Sequence, residues 1–301
     1  SELATLTGHN DSVMAVAITP WGKQAVSASN DNNSLKLWDL ATGSELATLT
    51  GHNDSVMAVA ITPWGKQAIS ASNDNNSLKL WDLATGSELA TLTGHSDSVN
   101  AVAITPSGNQ AVSASRDNTL KLWDLFIGWE LATLTGHSDS VTALAITPSG
   151  KQAVSASSDK TLKLWDLATG SELATLTGHS DLIWAVAITP DGKQAVSASS
   201  DKTLKLWDLA TGSELATFIG HSSAVKAVTI NPDGKQAVSA SYDNTLKLWD
   251  LATGEVLATF TGDGMMFSCG IASDGVTVVA GDSSGRVYFL RLEGLESEAQ
   301  C

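Results

Sequence analysis

A repeat of 42 or 43 residues constrains this chain more than any other feature. The dipeptides Gly-His and Trp-Asp each recur six times, always in that order. The histidines are His9, His52, His95, His137, His179 and His221, and the tryptophans are Trp38, Trp81, Trp123, Trp165, Trp207 and Trp249. Six matches in register predict a series of like supersecondary units, each packed on its neighbours.

Each repeat contains four short strand patterns separated by turn sequences. In the fourth repeat they are 140–146, 152–157, 162–165 and 172–176, which are apolar or rich in Val, Ala and Ser. Pro148-Ser149-Gly150 between the first two is a turn sequence. Strands this short, joined by turns this tight, predict an antiparallel meander. A period of about 40 to 45 residues with Gly-His early and Trp-Asp late is typical of the blades of a β-propeller.

The end of the chain predicts a seventh blade. After Trp249 the repeat weakens, but three more strand patterns follow, at 267–271, 276–279 and 286–290. A fourth is missing there, whereas residues 2–6 match the fourth strand of every other repeat. We therefore predict an all-β, seven-bladed propeller with four antiparallel strands per blade, in which residues 1–7 complete blade 7 and close the ring. The predicted domain is 1–292, and 293–301 is a polar tail.

These motifs resemble the WD-repeat (Trp-Asp repeat) propellers from Glu2 to about Arg291. The ending Val278–Leu290 resembles the last blade of bacterial signalling ATPases of the NACHT and NB-ARC type. In those proteins a propeller is the C-terminal sensor or regulatory part. The resemblance therefore implies a sensing or autoinhibitory role within a larger protein.

Composition narrows the classes of partner. The chain has 17 Lys and Arg against 32 Asp and Glu, a net charge of −15, and its basic residues are spread along the sequence. Nucleic acids and anionic membranes are therefore disfavoured. The two cysteines, Cys269 and Cys301, and the absence of a long apolar run or a leader favour the cytoplasm. Since the chain begins without Met at a strand, we expect it to be a piece of a longer protein.

Four polar positions are constant among the repeats. In repeats three to six they are His95, Ser113, Asp117 and Trp123; His137, Ser155, Asp159 and Trp165; His179, Ser197, Asp201 and Trp207; and His221, Ser239, Asp243 and Trp249. Ser, His and Asp together could form a hydrolase triad. Six equal copies fit active sites poorly, because catalysis needs one dedicated pocket. No second His or Cys lies at metal-ligand spacing. We predict a structural hydrogen-bond network, as the resemblance implies, with no enzyme activity, cofactor or metal.

Three repeats depart from this pattern. The first two repeats carry one extra residue at this place. Either Asp31 or Asn32 could therefore take the place of the network Asp in repeat one, and either Asp74 or Asn75 in repeat two. In the seventh, Asp263, Ser284 and Leu290 stand near the His, Asp and Trp places. This blade is predicted to be the least stable.

Variable positions are the candidates for binding. On the His side, the second residue of the inner strand and the residue before the turn Asp change in size, charge and aromaticity among the repeats. This predicted rim contains Met14, Met57, Asn100, Arg116, Thr142, Trp184, Lys226 and Tyr242. Drift at exposed positions is the alternative, but Trp and Met are rarely left exposed. The resemblance implies that such positions contact partners. From the residue types we predict a protein or peptide partner, with Trp184 as the apolar anchor and Arg116 and Lys226 attracting acidic groups.

The opposite face carries apolar residues in turns that do not need them. These are Trp21, Trp64, Phe126, Ile127 and Trp129, on three consecutive repeats. They predict one patch covered by a neighbouring domain or a second copy. Tandem copying of one mutated repeat is the alternative for the two tryptophans.

Together these features predict a non-catalytic protein-interaction scaffold, as the sensor propeller of a bacterial signalling ATPase. A free-standing scaffold subunit is the alternative, and a hydrolase or a lectin is a more distant one.

Overall fold

The computed structural model describes residues 6–29, 33–73 and 76–293. These residues form 27 β-strands and no α-helix. Accordingly, no helix within the described ranges is long and apolar enough to cross a membrane. The strands form seven sheets, and each sheet is a meander of strands consecutive in sequence.

The first three sheets each contain four strands. Sheet 1 contains β1 (Val13–Ile18), β2 (Gln24–Ser29), β3 (Leu35–Asp39) and β4 (Glu45–Leu49). Sheet 2 contains β5 (Val56–Ile61), β6 (Gln67–Ser72), β7 (Leu78–Asp82) and β8 (Glu88–Leu92). Sheet 3 contains β9 (Val99–Ile104), β10 (Gln110–Ser115), β11 (Thr119–Asp124) and β12 (Trp129–Thr135).

The next three sheets also have four strands, and the last has three among the described residues. Sheet 4 contains β13 (Val141–Ile146), β14 (Gln152–Ser157), β15 (Thr161–Asp166) and β16 (Glu172–Thr177). Sheet 5 contains β17 (Ile183–Ile188), β18 (Gln194–Ser199), β19 (Thr203–Asp208) and β20 (Glu214–Ile219). Sheet 6 contains β21 (Val225–Ile230), β22 (Gln236–Ser241), β23 (Thr245–Asp250) and β24 (Val256–Thr261). Sheet 7 contains β25 (Met266–Ile271), β26 (Thr277–Asp282) and β27 (Val287–Arg291).

The hydrophobic core lies between neighbouring sheets. Leu35, Leu37 and Leu49 of sheet 1 form one buried cluster with residues of the next blade. These are Val56 and Trp81 of sheet 2 and Leu83, which lies in the turn between β7 and β8. The same arrangement joins sheet 2 to Trp123, sheet 3 to Trp165 and sheet 5 to Trp249. The constant tryptophan of a repeat therefore packs against the preceding sheet. The second strand of that sheet is buried on both faces and consists of small residues, which leave room for the indole.

The chain divides into two compact units. One contains the residues up to Ser155 together with Trp165–Leu173, and the other contains Ala156–Leu164 together with the residues from Ala174 onward. Within the first unit, the inner strands β1, β5, β9 and β13 lie side by side in that order. Within the second unit, β17, β21 and β25 do the same.

These sheets are the blades of a seven-bladed, all-β propeller, so the predicted fold class is confirmed. The fourth strand of blade 7 was predicted at the N-terminus, where residues 1–5 lie outside the described residues. Closure by this strand, the 1–292 boundary and the polar tail, of which 294–301 also lie outside the described residues, remain predictions.

Candidate functional site

The constant side chains of blade 5 form one chain of hydrogen bonds. His179 Nε2 lies 2.7 Å from Ser197 Oγ, and Trp207 Nε1–H donates to the same oxygen over 2.8 Å. On the other side of the imidazole, His179 Nδ1 lies 2.7 Å from Asp201 Oδ2. Asp201 also accepts from the backbone N–H of Ser180 and from the hydroxyl of Thr203.

If the imidazole of His179 is neutral, only one assignment of donors and acceptors satisfies this row of hydrogen bonds. An ionised carboxylate only accepts, so His179 donates through Nδ1–H to Asp201 and accepts the Ser197 proton at Nε2. Burial acts to raise the pKa of Asp201, but hydrogen bonds from His179 and Thr203 outweigh it and hold the pKa well below its usual range. Ser197 is 0% exposed. A substrate could not reach its hydroxyl, so these groups are placed as a scaffold and not as a nucleophile with its base.

Blades 3 and 6 repeat the arrangement. His95, Ser113, Asp117 and Trp123 are joined by bonds of 2.7 to 2.8 Å, as are His221, Ser239, Asp243 and Trp249. Burial lowers the pKa of His221, which favours the neutral ring. Burial acts to raise the pKa of Asp243, but hydrogen bonds from Thr245, Ser222 and His221 lower it to about 2.

The remaining complete blades share the His-Ser-Trp part. In blade 4, Ser155 Oγ lies 2.7 Å from His137 Nε2 and accepts from Trp165, and Asp159 accepts from the backbone and hydroxyl of Thr161. Blades 1 and 2 place Ser27 and Ser70 between the equivalent His and Trp. Asp31 and Asn32 and their counterparts Asp74 and Asn75 lie outside the described residues.

Blade 7 uses a different network. Leu290 pairs with Val278 as Trp249 pairs with Ala237, so Leu290 does occupy the Trp place. The polar contacts come instead from Tyr288, whose hydroxyl donates to Asp282 over 2.8 Å and accepts from the backbone N–H of Asp263 over 3.1 Å. Ser284 donates to Asp282. Sequence reasoning missed Tyr288, although its place in the repeat is a constant Lys elsewhere, and that exchange was visible.

A β-bulge sets the direction of the rim side chains. The pairing of the first two strands skips the second residue of the inner strand, which leaves Met14, Met57, Asn100, Trp184 and Lys226 without a cross-strand partner. Bulges re-aim a side chain relative to the pleat. Because a bulged residue has no cross-strand partner, its size and polarity can vary among the blades without disturbing the ladder.

The rim residues of the first unit differ in their surroundings. Met14 and Arg116 are exposed, and Met57 and Thr142 are half-buried. The Asn100 amide donates to Ser140 Oγ and to the Val141 carbonyl over 3.2 and 2.9 Å. Asn100 thus ties blade 3 to blade 4 and has less capacity for a partner than the sequence indicated.

The rim residues of the second unit form an aromatic cluster. Lys226 Nζ lies 2.7 Å from the centroid of the Trp184 ring and 5.3 Å from that of Tyr242. Trp184 Nε1–H donates to Ser200 Oγ over 2.8 Å. Phe267 packs edge-on against Tyr242, with 5.2 Å between the ring centroids. This group of Trp184, Lys226, Tyr242 and Phe267 is hereafter the lysine cluster.

Phe267 was missed by sequence reasoning. It is the second residue of β25 and the bulged residue of blade 7, so it occupies the same column as Trp184 and Lys226. The predicted strand began at residue 267, whereas β25 begins at Met266. With the strand extended by this one residue, Phe267 aligns with the second residue of the other inner strands.

The opposite face places its aromatic residues across neighbouring blades of the first unit. Trp21 packs beside Gly65, the turn glycine of blade 2, and Trp64 lies over Gly108, the turn glycine of blade 3. Phe126 and Ile127 lie with Trp64 around a pocket of about 410 Å³, whose other walls include Leu80, Leu89 and Leu125. Trp21 and Trp129 are exposed and do not line this pocket. The five predicted patch residues therefore separate into a pocket and two exposed rings.

The sheets and their recurrent network define a repeat protein of the β-propeller class. The family model described as WD domain, G-beta repeat, matches six segments, 1–39, 43–82, 86–124, 128–166, 170–208 and 212–250. These segments cover well over half of the chain, which therefore belongs to the WD40 repeat family. The comparison with curated proteins found no match.

Proposed function

We propose that this propeller is a non-catalytic scaffold that binds a protein or peptide through the lysine cluster. The observation that carries the proposal is the position of Lys226. Its ammonium group is half-buried against Trp184 and pairs with no carboxylate among the described residues. Membership of the WD40 family, whose propellers commonly mediate protein interactions, supports the same class of function.

The chemistry of this group indicates an acidic partner. Burial lowers the pKa of Lys226 to about 8, since part of the hydration of the ammonium is lost. The faces of Trp184 and Tyr242 replace some of that hydration through cation–π attraction. A carboxylate of the partner would supply the missing opposite charge. In a chain with a net charge of −15, such a cation also directs where an acidic segment can approach.

Trp184 has a supporting role in this proposal. Its indole N–H is already bonded to Ser200, and one face of its ring is covered by Lys226. It therefore orients the ammonium group, and Tyr242 and Phe267 add apolar contact area beside it. This differs from the expectation that Trp184 itself is the anchor.

For the cellular context we propose the cytoplasmic sensor or autoinhibitory part of a bacterial signalling ATPase. The support is the resemblance of Val278–Leu290 to the last blade of such proteins. Sequencing the parent gene upstream of Ser1 tests this: a nucleotide-binding domain is expected, and its absence would favour a free-standing scaffold subunit.

The binding proposal is tested by capture and titration. The chain is used as bait in a lysate of the source cell, and the captured partner is titrated calorimetrically against three variants. Lys226→Met removes the charge but keeps an apolar side chain of similar length, and Trp184→Ala removes its support. Both are expected to weaken binding by about 2 kcal/mol or more if the cluster is the centre of the interface.

Ser158→Ala is the matched control, since Ser158 occupies the column of Ser200 and Tyr242 in blade 4 and is expected to change little. Equal, small losses in all three variants would contradict the proposal.

A further inference from the structure

We infer that the pocket beside Phe126, here called the Phe126 pocket, binds an uncharged peptide segment through one large apolar side chain. The pocket lies between blades 2 and 3 of the first unit and shares no residue with the lysine cluster. Its volume of about 410 Å³ falls within the range of roughly 300 to 1,000 Å³ that is usual for binding pockets.

The charge of the lining selects the ligand. None of the residues that line the pocket is charged, although the chain as a whole carries −15. A charged group that entered would lose hydration without gaining an opposite charge. Trp64, Leu80, Leu89 and Leu125 instead offer an apolar wall. An aliphatic or aromatic side chain is the group that this wall favours.

Two carboxamides in the wall indicate that the ligand is a peptide. Gln67 and Asn109 are lining residues, and their carboxamide groups make no hydrogen bond with any described residue. Each carboxamide offers both N–H donors and a carbonyl acceptor. A backbone amide presents the complementary pair, so a main chain that crosses the pocket can satisfy both groups while its side chain fills the apolar part.

The turn at the mouth carries two apolar side chains where sister blades have Ala and Thr. In blade 4 the equivalent turn is Ala168-Thr169, and the Thr169 hydroxyl donates to Asp166 over 2.9 Å. Phe126 and Ile127 keep the backbone bonds to Asp124, of 2.8 and 3.0 Å, but Ile127 has no hydroxyl to donate. The two side chains are 93% and 52% exposed. Since nothing in the turn requires them, contact with a ligand is the role that accounts for their size.

A second copy of the chain fits the pocket less well than a peptide. Each copy carries −15, so two copies repel one another at moderate ionic strength.

The test is selection from a displayed peptide library. The immobilised wild-type chain selects peptides after the library has been depleted on the triple variant Trp64→Ser, Phe126→Ala, Ile127→Thr. Each substitution introduces the residue that sister blades carry, such as Ser149, Ala168 and Thr169. The fold is therefore kept, and the double variant Phe126→Ala, Ile127→Thr provides a second test should Trp64 be needed for stability.

The selected peptides are expected to share an uncharged core around one Phe, Trp, Leu or Met. They should bind the triple variant about tenfold or more weakly than wild type. Trp21→Ser, on the same face but outside the pocket, and Lys226→Met are the controls and should bind as wild type does. Unchanged peptide binding by Lys226→Met would also show that the peptides do not use the lysine cluster, so this inference and the proposed function can fail independently.

Three results would overturn the inference: failure of the wild-type chain to enrich any peptide after the depletion, selection of mainly charged peptides, or self-association. Sedimentation velocity detects the last, because a wild-type dimer that the triple variant abolishes would identify a second copy as the occupant.

Discussion

The ammonium nitrogen of Lys226 lies 2.7 Å from the centroid of the Trp184 ring, and both residues occupy the bulge of their inner strand. Blades 5 and 6 are neighbours, so equal bulges bring these two side chains together. A lysine held in this way loses hydration on folding, and its protonation becomes linked to stability.

The pH dependence of stability measures this linkage. Burial lowers the pKa of Lys226 to about 8, whereas the pKa of a lysine in an unfolded chain is about 10.4. Between these values the unfolded chain binds more protons, so stability attributable to Lys226 rises as the pH increases through this window. Below about pH 8 the buried charge opposes folding in full. We expect Lys226→Met to melt above wild type at pH 7 and to lose this advantage by pH 10. If the difference in melting temperature between the two proteins were the same at pH 7 and at pH 10, Lys226 would not be desolvated.

Removal of one member of the blade 5 network should destabilise the fold. His179→Ala leaves Ser197 and Asp201 each without one buried partner, and an unsatisfied buried group costs about 1 to 3 kcal/mol. Urea unfolding followed by fluorescence measures this loss. Lys193→Ala is the control, because that side chain is 79% exposed and should leave the midpoint unchanged. A midpoint for His179→Ala equal to that of the control would mean that the hydrogen bonds add no net stability.

The contact between Trp64 and Gly108 predicts a difference between two glycines at the equivalent turn position of blades 1 and 3. Gly22 and Gly108 both have φ near +70°, at +65° and +71°, so alanine is strained at each by about 1 to 2 kcal/mol. A Cβ at Gly22 meets no atom within 4 Å, whereas one at Gly108 would overlap the Trp64 ring. We expect Gly108→Ala to lower the free energy of unfolding by a further ~1 kcal/mol or more. Chemical denaturation of the pair checks this, and equal losses would show that Trp64 moves aside freely.

Closure of blade 7 can be tested by truncation. In β27, Val287 and Phe289 are 59% and 74% exposed, while the third strands of the other blades are largely buried. Closure by residues 2–6, which match the fourth strand of every other repeat, is a prediction from the sequence. Deletion of residues 1–7 should therefore lower the melting temperature. Deletion of 294–301 should not, and equal melting of the two truncated chains would argue against closure.

Most of the fold could be predicted because the same pattern of strands and turns recurs in six repeats. The second strand of repeat four was placed at 152–157 and is Gln152–Ser157, and the third was placed one residue short at each end. Turn residues fix these limits locally, so no knowledge of tertiary contacts was needed. The six-fold recurrence also distinguished a scaffold network from a triad, since a single copy of Ser197 and His179 would have been ambiguous.

The candidate sites were less predictable because they depend on contacts between blades. Asn100 donates hydrogen bonds to Ser140 and Val141, which lie about one repeat further along the chain. No pattern in the local sequence predicts these bonds. The same holds for the Phe126 pocket, which requires the Trp64 turn of blade 2 to meet the Phe126 turn of blade 3. Sequence comparison among repeats finds where residues vary but cannot tell which neighbours they meet.

The packing of each tryptophan on the preceding blade bears on how such a chain can grow. Residues 1–43 and 44–86 differ only at Val26 and Ile69. A DNA segment that encodes one such repeat carries both the surface that covers its predecessor and the surface that its successor covers. Recombination between near-identical copies can therefore add or remove a repeat without creating an unmatched junction. New binding chemistry can then arise by mutation of a bulged rim residue in a single copy, while the other copies preserve the architecture.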